Sequence, residues 1–392
     1  MISRRSFLLR SGQVAAATTL TSLSLGNHLF HASALAAPTM PPLLVPLRPQ
    51  LPAPDVPIEV KIGQMIMVGF AGKYLTEQSA IVKEIKERHL GAVVLFRPNI
   101  ESPVQLLNLT RTLQNASEFP LLIATDQEGG QVSRLTGNFN LPYNYSEQYL
   151  GTKNDLSKTQ TQGEATAQIL SQFGINLNLA PVVDLNVNPS NPIIGRFERS
   201  YSADPAIVVK HAGAAVDAHR HHNVLCTLKH FPGHGSSRGD THAGFVDVTD
   251  TWSDVELQPF AELAKQGRAD VIMTAHIFNS KLDAKLPATL SRPTITGILR
   301  EQLGYNGVIM SDDMHMRAIA GLYSTEEAVQ LAIEAGVDML AISNNIPSTR
   351  KLSAGMAVDI IKRLVESGKV SAERIHQSYV RLCALKDKLA AT

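Results

Sequence analysis

Cysteine is nearly absent. The 392-residue chain holds two, Cys226 and Cys383, which excludes a disulfide scaffold or a four-cysteine zinc module and leaves room for one bridge in an oxidising compartment. An excess of one charge is absent too: 36 basic side chains face 35 acidic ones, a formal net charge of +1. A polyanion-binding surface is therefore not expected from the overall balance. No apolar run reaches the roughly 20 residues that a membrane-spanning helix needs. Gly129 and Gly130 have neither the spacing of a dinucleotide fingerprint nor the lysine of a phosphate-binding loop. What remains is ordinary globular composition, 44 % hydrophobic and 18 % charged, with ample material for a core and no signature of disorder.

The first residues read as an address. Arg4 and Arg5 precede Phe7-Leu8-Leu9, a weakly apolar stretch runs from Val14 to Leu25, and Ala34-Leu35-Ala36 is a small-x-small cleavage pattern. This combination resembles a twin-arginine export signal over residues 1–36, read by machinery that carries folded proteins. An exported protein, periplasmic or secreted, is the expectation. From Ala37 to Pro57, eight of 21 residues are proline, which fixes φ, removes backbone donors and favours an extended linker. The folded part, residues 58–392, is expected to begin near Ile58.

Beyond the linker, eight short apolar runs alternate with longer stretches of helical spacing. The runs are Met65 to Phe70, Ala92 to Phe96, Leu121 to Thr125, Leu177 to Val183, Val224 to Leu228, Asp270 to Thr274, Gly307 to Met310 and Met339 to Ile342. Helical stretches include Pro205 to His221, Ser253 to Gln266, Pro293 to Leu303 and Thr325 to Ala335. Eight alternations predict an α/β fold, a single (β/α)8 TIM-type barrel, with a doubly wound open sheet as the alternative.

Chemistry-bearing residues fall where such a barrel opens. Asp126-Gln127-Glu128-Gly129-Gly130 follows the third run, Asp184 the fourth, Lys229-His230-Phe231-Pro232-Gly233-His234-Gly235 the fifth, His276 the sixth and Ser311-Asp312-Asp313 the seventh. All are carboxyl ends, which converge on one mouth. Carboxylates and cations set round a mouth suit a polyhydroxylated ligand, because each sugar hydroxyl both donates and accepts; Asp126, Lys229 and His230 fit that role. Of the two neighbouring aspartates, Asp312 lies at the strand end and is the better-placed nucleophile, with Asp313 supporting or capping. Asp240, two residues before His242 in a Gly- and Ser-rich loop, can fix that imidazole's tautomer and make it a proton carrier near neutral pH. A metal set of His230, His234, Asp240 and His242 is disfavoured, because Pro232 and Gly233 prevent the two histidines from sharing a helix face. No metal or cofactor is expected.

The strings Asp126 to Arg134, Lys229 to Gly235, Asp240-Thr241-His242 and Gly307 to Met314 together resemble glycoside hydrolase family 3, and more narrowly its bacterial β-N-acetylglucosaminidase branch, over roughly Ile58 to the end. That resemblance implies a (β/α)8 barrel and retaining release of terminal N-acetylglucosamine from peptidoglycan fragments. It implies Asp312 as nucleophile, His242 with Asp240 as acid/base, and sugar binding by Asp126, Arg134, Lys229, His230 and Arg199. The stretch Ile194 to Tyr201 departs from the family pattern: Arg196-Phe197-Glu198 intervene before Arg199, so Arg196 rivals Arg199 for the sugar or acetamido contact. After Ile342 only the last barrel helices and a tail are expected, so the barrel itself must supply the site. A β-glucosidase, a phosphorylase of the same family and a non-catalytic cell-wall sugar-binding protein are the alternatives.

Overall fold

Eight short strands, each buried along its length, lie parallel in the computed structural model, which describes residues 56–344 and 352–390. They are β1 (Ile66–Gly69), β2 (Ala92–Leu95), β3 (Leu122–Thr125), β4 (Leu177–Asn178), β5 (Leu225–Phe231), β6 (Val271–Thr274), β7 (Val308–Met310) and β8 (Leu340–Ile342). Neighbours follow the order β7-β6-β5-β4-β3-β2-β1-β8. The two ends of that order meet through a parallel bridge between Met310 and Met339, so the sheet rolls into a ring and the open-sheet alternative falls. Strands covered on both faces carry near-continuous Val, Ile, Leu, Ala and Met, which is why they stand out as apolar runs. The signal and linker, residues 1–36 and nearly all of 37–57, lie outside the described residues; the first described helix starts at Ile58.

The helices between strands start where the chain supplies an acceptor for their free N–H groups. Side chains of Ser102, Asp155, Asp204, Ser324 and Ser353 each accept from a first-turn amide. The stretch Ser253 to Gln266 is not one helix. Pro259 lacks an N–H, and a 3-10 turn, Asp254–Leu257, hands over to a helix at Gln258–Lys265. Pro293–Gln302 winds as a π-helix, wider than the spacing suggested. Past β8, helices Ala354–Glu366 and Ala372–Ala390 complete the barrel, the latter joined to the first helix by Lys386 Nζ donating to Gln64 Oε1 at 2.6 Å.

Two strands differ from expectation in ways that shape the mouth. The regular ladder of β4 ends at Asn178, short of Val183; Leu179 N–H still donates to the Thr125 carbonyl and the Ala180 carbonyl accepts from Thr227, Pro181 has no amide to give, and a bridge between Val182 and Lys229 follows. β5 instead runs three residues past Leu228 to Phe231. Lys229 and His230 are thus strand residues rather than loop residues.

The seam between β7 and β8 is closed by main-chain bonds, with Asp338 and Met339 N–H on the Ile309 carbonyl, Ser311 N–H on that of Met339 and Met314 N–H on that of Ala341, and side chains add to them. Ile309 N–H donates to the Asp338 carboxylate at 3.0 Å, Ala341 N–H to Ser311 Oγ at 2.9 Å and Ser343 N–H to Asp313 Oδ1 at 2.9 Å; Ser343 Oγ also meets Asp313 Oδ2. At the amino-terminal end of this seam Asp338 also takes Arg300, Arg374, Arg381 and Ser378.

Candidate active site

Three strand ends bring together a buried charge network. From the segment after β3, Asp126 accepts from Lys229 Nζ at 3.0 Å and from Arg134 at 3.1 Å. Glu128, almost completely buried, accepts from Lys229 at 2.7 Å and takes Arg199 as a two-pronged pair at 2.7 and 2.9 Å. Burial alone would push both carboxyls up, but the facing cations outweigh it: Asp126 is held below its usual range and Glu128 is lowered to about 2. Lys229, despite its burial, is held above its usual value by the same two carboxylates.

Arg199, two residues past the short 3-10 turn Gly195–Phe197, therefore faces the mouth, with its remaining nitrogen on the Ile193 carbonyl at 2.9 Å. Arg196 is exposed and outside the network. Beneath them Glu147 accepts from Val182 N–H at 2.9 Å, while its second oxygen has no partner among the described residues. Burial and the Glu128 charge hold Glu147 well above the usual carboxyl range.

A second cluster is built on β4 and β5. Asp184, fully buried, accepts His230 Nδ1 at 2.6 Å together with the backbone amides of His230 and His234, at 3.1 and 2.7 Å. Burial would raise Asp184, yet the His230 ring and these N–H donors keep it below the usual range. A nitrogen this near a carboxylate carries the proton, which leaves His230 Nε2 as the atom free to meet a ligand. Lys229 and His230 are successive residues that both reach carboxylates of the mouth, and the peptide bond between them is cis. The turn beyond is tightly fitted: Gly233 has φ 117°, and a Cβ on Gly235 would stand 1.7 Å from the Leu185 carbonyl oxygen.

The loop that follows turns back over the barrel. Asp240 Oδ1 accepts both the backbone N–H of His242 and His242 Nδ1 at 2.8 Å, so the ring presents Nε2 outward and about half of it is exposed. The loop is seated by Ala318 N–H donating to the Thr241 carbonyl at 3.2 Å, a contact with the segment after β7. That segment carries Asp312, whose only hydrogen bond found among the described residues is from the Asp313 amide, 2.8 Å. Burial would raise its carboxyl, but the His276, His230 and His242 rings and that N–H hold it below the usual range. Asp312 is thus an anion with unused lone pairs. Asp313 belongs to the seam, as the supporting reading expects. His276 spans Thr289 Oγ1 and the Asp313 carbonyl, at 2.8 and 2.9 Å; burial keeps its ring below its usual value.

Every residue singled out from the sequence, Asp126, Arg134, Arg199, Lys229, His230, Asp240, His242 and Asp312, thus sits at the carboxyl-terminal mouth. Glu128, Asp184, Glu147 and His276 were given no role from the sequence, and three of them carried a usable signal. Glu128, Asp184 and His276 each stand one to three residues past one of the apolar runs of the sequence. No three His, Cys, Asp or Glu side chains among the described residues form a metal-holding group, and no described helix is long and apolar enough to cross a membrane.

The protein is thus a closed parallel (β/α)8 barrel with a buried carboxylate and an imidazole-bearing loop at its carboxyl-terminal mouth. The chain belongs to glycosyl hydrolase family 3: the model of that family's N-terminal domain matches residues 57–385. Beta-hexosaminidase A of Pseudoalteromonas piscicida is 33 % identical over 384 residues, covering 86 % of this chain and 62 % of that protein. A beta-hexosaminidase of Tolumonas auensis is 39 % identical over 263 residues, 65 % of this chain and 76 % of the relative. Among solved structures, a family 3 beta-N-acetylglucosaminidase from Paenibacillus superposes with TM-score 0.79 at 36 % identity, over 86 % of this chain and 63 % of that one. A beta-N-acetylhexosaminidase from Beutenbergia cavernae gives 0.75 at 30 % identity, over 86 % of this chain and the whole of that one. The chain thus spans less than two thirds of the first of these relatives.

Proposed function

We propose that this barrel is a retaining exo-β-N-acetylhexosaminidase that releases terminal β-linked N-acetylglucosamine through a covalent glycosyl-Asp312 intermediate. The observation that carries the reading is the meeting of the His242 loop with the Asp312 segment, through Thr241 and Ala318. Asp126, Arg134, Lys229, His230 and Arg199 hold the hydroxyls and acetamido group of the terminal sugar by charge-assisted hydrogen bonds. Asp312 attacks the anomeric carbon as the imidazolium of His242 gives its Nε2 proton to the departing oxygen. Water then attacks the same carbon from the vacated side, losing a proton to the now neutral Nε2, and the Asp312 carboxylate is released with configuration retained. Asp240 holds the ring orientation in both steps. An imidazole replaces the second carboxylate usual in retaining enzymes, so the carboxyl-separation rule does not apply.

The twin-arginine-like sequence supports export, and export supports wall-derived glycans as the natural substrate. The beta-hexosaminidases among its relatives support the hexosaminide preference. The test is mass spectrometry of the intact enzyme after a 5-fluoro N-acetylglucosaminyl inhibitor. A mass gain of one sugar, mapped to the peptide bearing Asp312, is expected. A label elsewhere, or none, overturns the covalent route, and sugar 1-phosphate formed in phosphate buffer would make the enzyme a phosphorylase.

A further inference from the structure

Two aromatic rings, one three residues from the proton donor in the chain, take no part in the steps above. Phe245, three residues past His242, is 54 % exposed, a large apolar side chain left in water on a polar rim. Its ring rests against Phe278, with centroids 5.3 Å apart and planes at 41°. Phe278 itself follows His276 by two residues on the segment after β6. The chain between is fixed: Phe278 N–H donates to the Val246 carbonyl at 2.8 Å and Val248 N–H to the Phe278 carbonyl at 2.9 Å, a parallel bridge centred on Asp247. Phe245 is therefore held at the anchored foot of the loop, while His242 lies on its tip side.

We propose that Phe245, backed by Phe278, is a platform for the sugar ring on the leaving-group side of the scissile bond. The inference rests on the hexosaminidase reading. His242 Nε2 must face the glycosidic oxygen, so whatever departs with that oxygen extends past the loop that carries the imidazole. A β-linked pyranose presents a face of axial C–H bonds, and an exposed aromatic ring is the partner that such a face lacks in water. The cationic and anionic groups round Lys229 hold the terminal sugar by its hydroxyls; the Phe245 side offers area instead. The platform thus selects for a ring as leaving group without demanding one hydroxyl pattern.

The experiment compares kcat/KM for the β-1,4-linked N-acetylglucosamine disaccharide with that for methyl β-N-acetylglucosaminide, whose leaving group has no ring. The ratio of the two is expected to fall about tenfold in Phe245→Ala, a loss of about 1.4 kcal/mol. It should fall similarly in Phe245→Leu, which keeps an apolar side chain without a flat face, and stay near the wild-type ratio in Phe245→Trp. An unchanged ratio in the alanine and leucine variants overturns the platform while leaving the hexosaminidase reading intact. Wild-type protein that cleaves neither glycoside overturns that reading and the platform with it.

Discussion

At the amino-terminal rim of the barrel, Asp338 and Asp270 are completely buried and surrounded by donors: Asp338 by Arg300, Arg374, Arg381, Ser378 and the Ile309 amide, Asp270 by Arg220, Lys388 and the Cys226 amide. At the carboxyl-terminal rim, Asp312 has one backbone N–H and three imidazoles within electrostatic reach. The residue type is the same, and the number of donors decides its use. A carboxylate whose lone pairs are all engaged fastens elements together, whereas one kept anionic by charge at a distance retains lone pairs for an incoming carbon. Asp126 stands between these cases, paired to two cations yet still partly open to the mouth.

Removing the carboxylate at each rim should separate the two uses. Asp312→Ala is expected to lower hydrolysis of an aryl β-N-acetylglucosaminide by about 10^4-fold or more, the scale seen when a nucleophile is deleted, with the melting temperature held; undiminished turnover would refute the assignment. Asp338→Asn should do the reverse. It strands three guanidiniums in the protein and is expected to cost about 3–5 kcal/mol in denaturant unfolding, while the molecules that remain folded keep their kcat. A fully stable Asp338→Asn protein would dissolve the contrast between the rims.

Smaller changes sharpen it. His242→Ala should lower turnover of the N-acetylglucosamine disaccharide by about 10^2 to 10^3-fold, within the usual contribution of general acid catalysis, and that of an activated aryl glycoside much less. Equal losses on both substrates would argue against proton donation. The smallest effect concerns Glu256, buried under the turn at Gly235 and Ser236, whose amides it accepts at 3.1 and 3.3 Å. Burial raises its carboxyl from 4.5 to about 8. Between those values the unfolded chain has given up this proton while the folded protein keeps it, so its contribution to stability is full below pH 4.5 and lost as pH rises through about 8. Thermal melts of Glu256→Gln across that window should fall less steeply with pH than those of the wild type; parallel curves would sink the linkage.

Much of this was legible in the chain. Apolar runs marked every strand, and the carboxylates and imidazoles just beyond their carboxyl ends marked the mouth, because those ends of a parallel barrel converge on one opening. The pairings were not legible. That Glu128 joins Arg199 to Lys229, or that Asp184 fixes His230, depends on side chains dozens of positions apart facing one another across the ring. Arg199 had Arg196 as its rival in the sequence, and the turn at Gly195–Phe197 turns Arg199 inward and leaves Arg196 in solvent. The amino-terminal cluster gave no sign at all, since Asp270 and Asp338 stand at strand starts where a lone aspartate carries no pattern.

The polar stitching between β7 and β8 has an evolutionary side. Throughout the ring, this seam included, main-chain amides and carbonyls do the joining, and they are present whatever residue is drawn at a position. At this joint side chains of Ser311, Asp313, Asp338 and Ser343 add a second set of bonds to the main-chain ones, so drift at those four positions loosens the closure of the ring. The stretch of chain that presents Asp312 should consequently be slow to diversify.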